Sequence, residues 1–265
     1  MSITPLFDPV QMGRPMRVAA FMSGSGTNII KLIEREKNLR AIEGASPFEV
    51  IFIFSDRSDG SCQGEKIACE SGVPYFSYDI RSFHRLKELN RTVATPEGLA
   101  ARREFDSVAG ILIKAFEIDI IALGGYMSYI TLDRCVNVHP ADLSILTCEG
   151  KRRYVGDNAV PDAIASGETV LRSSTLWTDQ GVDTGPLLMV SAPLKVELPE
   201  SLETLLKNSE RLGRVTVEYQ RRLKEIGDWI IFPSTVEMIA RGRFALDRYS
   251  RVYVDGYPVS HGYRE

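Results

Sequence analysis

Histidine is scarce in this chain, with three residues in 265. Cysteine is little commoner: Cys62, Cys69, Cys135 and Cys148 are the full set, and no two form a Cys-x-x-Cys spacing. A structural zinc site draws on clustered Cys and His, so no metal is expected. Cysteine this sparse and unpatterned also gives no disulfide framework and fits a reducing, cytoplasmic setting. No apolar run approaches the ~18 residues needed to span a bilayer. The opening sixteen residues, MSITPLFDPVQMGRPM, lack a basic start and a long apolar stretch. They do not read as a secretory signal, and a flexible arm over 1–16 is expected before a single domain over 17–265. Charge of neither sign dominates. Thirty-two Lys and Arg stand against 35 Asp and Glu, giving a net charge of −3, which points to neither nucleic acid nor a membrane as partner. No internal repeat, low-complexity tract or clear linker interrupts the chain.

What is present is a core. Hydrophobic residues make up 44%, enough to exclude global disorder. Apolar runs alternate with helical patterns. Strands are expected at 18–22, 49–55 (EVIFIFS), 75–78, 119–123 (DIIAL) and 135–138. Helices are expected at 28–37, 63–71 and 96–116. Strands apolar throughout are the kind a parallel sheet covered on both faces requires. The alternation predicts an α/β fold with a doubly wound, mostly parallel sheet, which binds ligands at the carboxyl ends of its strands. The C-terminal half differs. Segments 173–178 and 187–196 read as antiparallel strands, followed by helices at 201–225 and 230–241 and a terminal hairpin within 246–254.

The first strand runs into Ser23-Gly24-Ser25-Gly26-Thr27-Asn28. Glycines let backbone N–H groups approach a ligand, and the following helix adds its positive end, so the loop is a seat for an anion. It is not a Walker A loop, because no Gly-Lys-Ser/Thr closes it. It is a poor dinucleotide fingerprint too, with Ile29 at the third glycine position. A plain tight turn is the competing reading. Further on, Asn137-Val138-His139-Pro140 places a carboxamide and an imidazole two apart on a strand, hence on one side. Together they can bind a developing oxyanion, and the imidazole can carry a proton, although an Asn-x-His taken alone reads better as a satisfied structural histidine. Gly181-Val182-Asp183-Thr184-Gly185-Pro186 carries one carboxylate that could orient that imidazole or keep it charged. Taken alone, Asp183 reads better as a turn residue bonding its own backbone.

Taken together, SGSGTN, NVHP and GVDTGP resemble three motifs of the glycinamide ribonucleotide formyltransferase family: its phosphate loop, its catalytic Asn-x-His-Pro and the loop of its catalytic aspartate. FSDRSDGSCQGEKIACESGVPY, DIIALGGYM and VDGYPVSHGY are similar to further segments of that family, in the same order. The resemblance implies a Rossmann-like formyltransferase fold and transfer of a formyl group from the co-substrate 10-formyltetrahydrofolate to the amine of glycinamide ribonucleotide, without a metal. It implies that Asn137, His139 and Asp183 are catalytic and that Gly26, Thr27 and Asn28 hold the substrate's phosphate. It further implies that Gly125, Met127, Pro140 and Asp228 or Glu225 meet the acceptor, and that Arg103 (or Arg102), Ser128, Tyr129, Ile130 and Asp179 meet the folate. A homodimer is compatible with it.

The chain also departs from that pattern. Ala141-Asp142-Leu143-Ser144 follows the His-Pro pair where the family commonly has Ser-Leu-Leu-Pro, and extra residues within 145–153 precede Tyr154-Val155-Gly156. Ser128 stands where an arginine is common. Other readings stay open at this point: a related folate enzyme with another acceptor or with water, a nicotinamide-dependent oxidoreductase with Asp56 on a ribose, or a non-catalytic binding paralogue.

Overall fold

The apolar runs pair in parallel. In the computed structural model, which describes residues 2–264, Met16–Met22 lies between Phe48–Ser55 and Ile120–Leu123. Tyr75–Ser77 extends the sheet beyond Phe48–Ser55, and Cys135–His139 extends it beyond Ile120–Leu123. The first strand is buried at every position but Arg17, as a central parallel strand must be. The helices Thr27–Glu43, Gly64–Ser71 and Pro96–Ala115 carry the chain between the first four of these strands in chain order, which makes those connections βαβ crossovers, while a helix-free loop over 124–134 leads to Cys135–His139. The doubly wound, mostly parallel sheet read from the sequence is therefore present.

The described chain divides into two compact units, and these parallel strands as far as Asn137 fall in the one formed by Phe7–Asn137 and Val236–Gly242. The other comprises the described residues up to Leu6, Val138–Thr235 and those from Arg243 onward. The division falls inside the strand Cys135–His139 and inside the helix Trp229–Ala240. The second unit is built from antiparallel pairs. Ser174–Trp177 pairs with Leu187–Val190, and Val170–Leu171 with Leu194–Lys195. Ile3–Pro5 pairs with Phe244–Asp247, which continues through Val252–Val254 to Tyr257–Val259.

Several expectations change in detail. The segment 1–16 carries structure where a flexible arm was expected: the strand Ile3–Pro5, a helical turn Pro9–Met12 capped by the Asp8 side chain, and a buried Phe7. A three-residue strand is too short to show alternation, so nothing in its pattern announces it. The helix expected over 201–225 is broken. Leu202–Leu206 ends, Asn208 caps a new helix Ser209–Leu223 by accepting from Arg211 N–H, and a π-helical turn Lys224–Asp228 leads into Trp229–Ala240. The strand expected over 187–196 divides after Val190, its remainder pairing elsewhere. The helices Ile80–Leu86 and Ala159–Ala165 lie where no element was expected. Among the described residues no helix is long and apolar enough to cross a membrane.

One buried ion pair organises the back of the long helix. Arg102 donates to both oxygens of Asp106 at 3.0 and 2.7 Å and to the Tyr126 hydroxyl at 3.0 Å. Asp106 also accepts from the Thr131 N–H and hydroxyl, each at 2.8 Å. Both charged side chains are only 2% exposed. Removing one partner of such a pair leaves an uncompensated buried charge. Asp106→Ala is expected to lower unfolding free energy by about 3–5 kcal/mol, read as a lower midpoint in chemical denaturation. A loss below ~1 kcal/mol, the scale of an exposed pair, would show that the network contributes little.

Candidate active site

In the parallel unit, the loop after the first strand sits where strand order reverses, between Phe48–Ser55 on one side and Ile120–Leu123 on the other. That switch point is where open α/β sheets bind ligands. Two loops are tied together there. Ser23 N–H donates to the Gly125 carbonyl at 3.0 Å, and Met127 N–H donates to Ser23 Oγ at 2.9 Å. Gly26 is the N-cap of Thr27–Glu43 in left-handed conformation, φ +67°, with no side-chain cap on the helix. A Cβ at Gly26 would lie 2.4 Å from Met22 Cε and 2.5 Å from Ile67 Cδ1. Glycine is thus favoured by φ, and a Cβ would in addition force the ends of the Met22 and Ile67 side chains to shift. The uncapped first-turn N–H groups stand at the positive end of a 17-residue helix, an arrangement suited to an anion. Beside them, the buried Asn28 side chain has an Oδ1 with no hydrogen-bond partner.

In the other unit, His139 is buried and has an acceptor at each ring nitrogen. Nε2 lies 3.1 Å from the Tyr154 carbonyl, and Nδ1 lies 3.4 Å from Asp183 Oδ2. The same carboxylate oxygen accepts from Gly156 N–H at 2.9 Å. Asp183 adopts φ +53°, a left-handed conformation that Asp and Asn tolerate better than most residues. Arg152 donates one arm to the Asp183 carbonyl and the other to the Gly185 carbonyl at 2.7 Å. A Cβ at Gly185 would lie 2.0 Å from the Trp177 carbonyl oxygen, so this loop too is shaped around a glycine.

Burial pushes the His139 imidazole below its ordinary pKa, against the opposing pull of the Asp183 carboxylate and the Tyr154 carbonyl. The carboxylate acts in the direction expected, but desolvation wins, and the ring is mainly neutral at pH 7. A carbonyl and a carboxylate both only accept, so a neutral ring can donate to one of these two neighbours and not to both.

The remaining candidates divide. Asp228 is buried in the π-helical turn and accepts from Ser173 Oγ at 2.5 Å, whereas Glu225 is at the surface, paired with Arg221 at 2.5 Å. Between these two, only Asp228 has a sheltered carboxylate. Arg102 is committed to Asp106, while Arg103 is exposed on the same helix. Ser128 donates to Asp56 Oδ2. Asp56 is fully buried, a poor position for the ribose contact on which the nicotinamide reading relied. Ile130 packs its side chain into the core beside Phe21 and Tyr126, and Tyr129 is half-buried. Asp179 closes its own loop, accepting from Gly181 N–H at 2.9 Å and Thr184 Oγ1 at 2.6 Å. Met127 is exposed, Gly125 has φ +82°, and Pro140 is half-buried. Arg152 and Tyr154 were missed by motif reading because one acts through its guanidinium on backbone and the other through a carbonyl, which carries no residue identity.

A family model described as formyl transferase matches residues 16–215. The trifunctional purine biosynthetic protein adenosine-3 of Homo sapiens is 24% identical over 89% of this chain. The match spans only 19% of that protein's length. The phosphoribosylglycinamide formyltransferase of Mycobacterium tuberculosis is 26% identical over 74% of this chain and 80% of its own. Among solved structures, the phosphoribosylglycinamide formyltransferase of Coxiella burnetii is 25% identical with a TM-score of 0.64, covering 95% of this chain and 99% of that one.

The His139 ring should titrate below the ordinary imidazole range in the wild type, and lower still in Asp183→Asn, which keeps the loop's φ but removes the charge. Histidine Cε1–H NMR shifts against pH measure both. An unchanged titration in a folded variant would leave Asp183 as a turn-former.

Proposed function

Since the chain belongs to the formyl transferase family, we propose that it moves the formyl group of 10-formyltetrahydrofolate to the amine of glycinamide ribonucleotide, a step of purine synthesis carried out in the cytoplasm. The observation that carries this reading is the pairing of buried His139 with Asp183 in a domain of that family. The acceptor's amine attacks the formyl carbon, a carbon–nitrogen bond forms, and the bond to the folate nitrogen breaks. The amine's proton ends on the departing nitrogen.

Asn137 and His139 supply hydrogen bonds to the oxyanion of the tetrahedral intermediate. Nε2 faces the Tyr154 carbonyl, so an oxyanion competes with that carbonyl for a proton carried there. A developing negative charge raises the ring's proton affinity in just the state where a charged donor is worth most. Asp183 lowers the cost of that imidazolium, which burial otherwise raises, and assists the proton on its way to the leaving nitrogen. The backbone of Gly26, Thr27 and Asn28 holds the ribose phosphate, with Gly125, Met127 and Pro140 bordering the acceptor. Asp228 is the better candidate for the acceptor's amine because Glu225 is engaged at the surface. Arg103, Ser128, Tyr129, Ile130 and Asp179 serve the folate, Ile130 through its backbone since its side chain is in the core.

Purified protein with glycinamide ribonucleotide and a formyl-folate, followed by absorbance, tests the reaction. Loss of formyl from the folate at the same rate without acceptor would make the protein a hydrolase instead. His139→Ala is expected to fold and to lose at least ~100-fold in turnover, the usual scale for a removed acid–base or oxyanion partner. Near-wild-type turnover in the folded variant refutes the assignment. The loop is better tested on the substrate than by mutation, because any side chain at Gly26 strains the backbone and strikes Met22. An acceptor lacking its phosphate should show KM raised by about tenfold or more with kcat less affected, as loss of uniform binding requires. Equal handling of both acceptors would assign the phosphate elsewhere.

A further inference from the structure

We propose that Arg152 is a positioning residue of the transfer site, its guanidinium fork fixing the loop that carries Asp183 so that the carboxylate faces His139. This rests on the formyl-transfer reading. Residues 145–153, where the chain departs from the family's pattern, form a small hairpin. Leu146 bridges Arg152, Thr147 N–H donates to the Lys151 carbonyl at 2.7 Å, and Arg153 N–H donates to the Ile145 carbonyl at 3.0 Å. Its exposed tip lies at Cys148-Glu149-Gly150, while its base is anchored: Tyr154 packs in an apolar cluster with Ala141, Val160 and Ile164, and its hydroxyl donates to Glu168 at 2.7 Å.

From this base Arg152 reaches the carbonyls of Asp183 and Gly185, on either side of Thr184. The loop needs such a hold. Gly181, Val182 and Thr184 are exposed, and Asp183 has a left-handed φ. A planar fork that bonds two carbonyls at once fixes orientation as well as place, which a lysine's point charge cannot do. Gly156 N–H then fixes the carboxylate from the same segment, and the Tyr154 carbonyl takes His139 Nε2. Residues 152, 154 and 156 thus hold three points of one constellation. The groups bearing on the His139 charge are Asp183, Asp157 and the Tyr154 carbonyl, which favour it, and Arg152, which opposes it.

Arg152→Lys keeps the cation and removes the fork. It should lower kcat by about tenfold with acceptor KM within ~3-fold, and His139 should titrate lower as Asp183 loosens. In an Asp183→Asn background the same change should cost less than ~2-fold, because a residue acting through Asp183 has little left to lose. Additive effects in that cycle, wild-type kinetics with an unmoved His139 titration, or a lysine variant that no longer folds would each overturn the proposal, the last by making Arg152 a general structural residue. Wild-type protein without formyl transfer would defeat the functional reading alone, since the NMR titration still tests the clamp.

Discussion

Desolvation of His139 is the constraint around which the antiparallel unit's site is arranged. A buried imidazole with no acceptor would simply stay neutral. One facing an acceptor at each nitrogen is held close to gaining a proton. The Tyr154 carbonyl and Asp183 supply those acceptors at 3.1 and 3.4 Å, and burial still wins by a margin that leaves the ring below its ordinary pKa. The balance suits a group that must become cationic only when negative charge appears beside it. A ring already charged at rest would bind ground state and transition state more nearly alike and accelerate less.

That balance depends on backbone more than on side chains. Asp183 stands at positive φ between glycines, with Gly185 pressed against the Trp177 carbonyl oxygen. The anion seat of the parallel unit follows the same rule. Gly26 turns the chain from strand to helix where a Cβ would strike Met22 and Ile67, leaving bare N–H groups at the helix start. In both places a polar function is supplied by fixing the main chain in a conformation that few residues adopt. Behind the anion seat, apolar strands provide the rigidity, since Met16–Met22 and Ile120–Leu123 are buried along nearly their whole length.

The features most legible in the sequence were those with a period or a motif. EVIFIFS and DIIAL announced buried parallel strands because a short, largely apolar run of that length fits a strand covered on both faces. His139 and Asp183 stood out because each is a chemically capable residue beside proline or between glycines, and Asn137 because it shares a strand face with His139. What escaped was short or non-local. Ile3–Pro5 has too few residues to show alternation, and its partner Phe244–Asp247 lies at the far end of the chain. The break at Asn208 was hidden because the polar residues on either side fit one long amphipathic helix, and only the capping bond to Arg211 shows that two helices meet there. Glu225 and Asp228 could not be separated by spacing, since a π-helical turn changes the angular offset between them.

The hairpin at 145–153 shows where the physical argument leads. As a sequence it is only an interruption in a familiar pattern, and an interruption beside a site would ordinarily count against function. In the fold, the inserted residues carry Arg152 to two carbonyls of the opposite loop. An insertion that damaged the site would leave the Asp183 loop less constrained, and this one constrains it further. The exposed tip can therefore vary freely, while the base, through Arg152, Tyr154 and Gly156, cannot change without moving the carboxylate or the carbonyl that His139 faces.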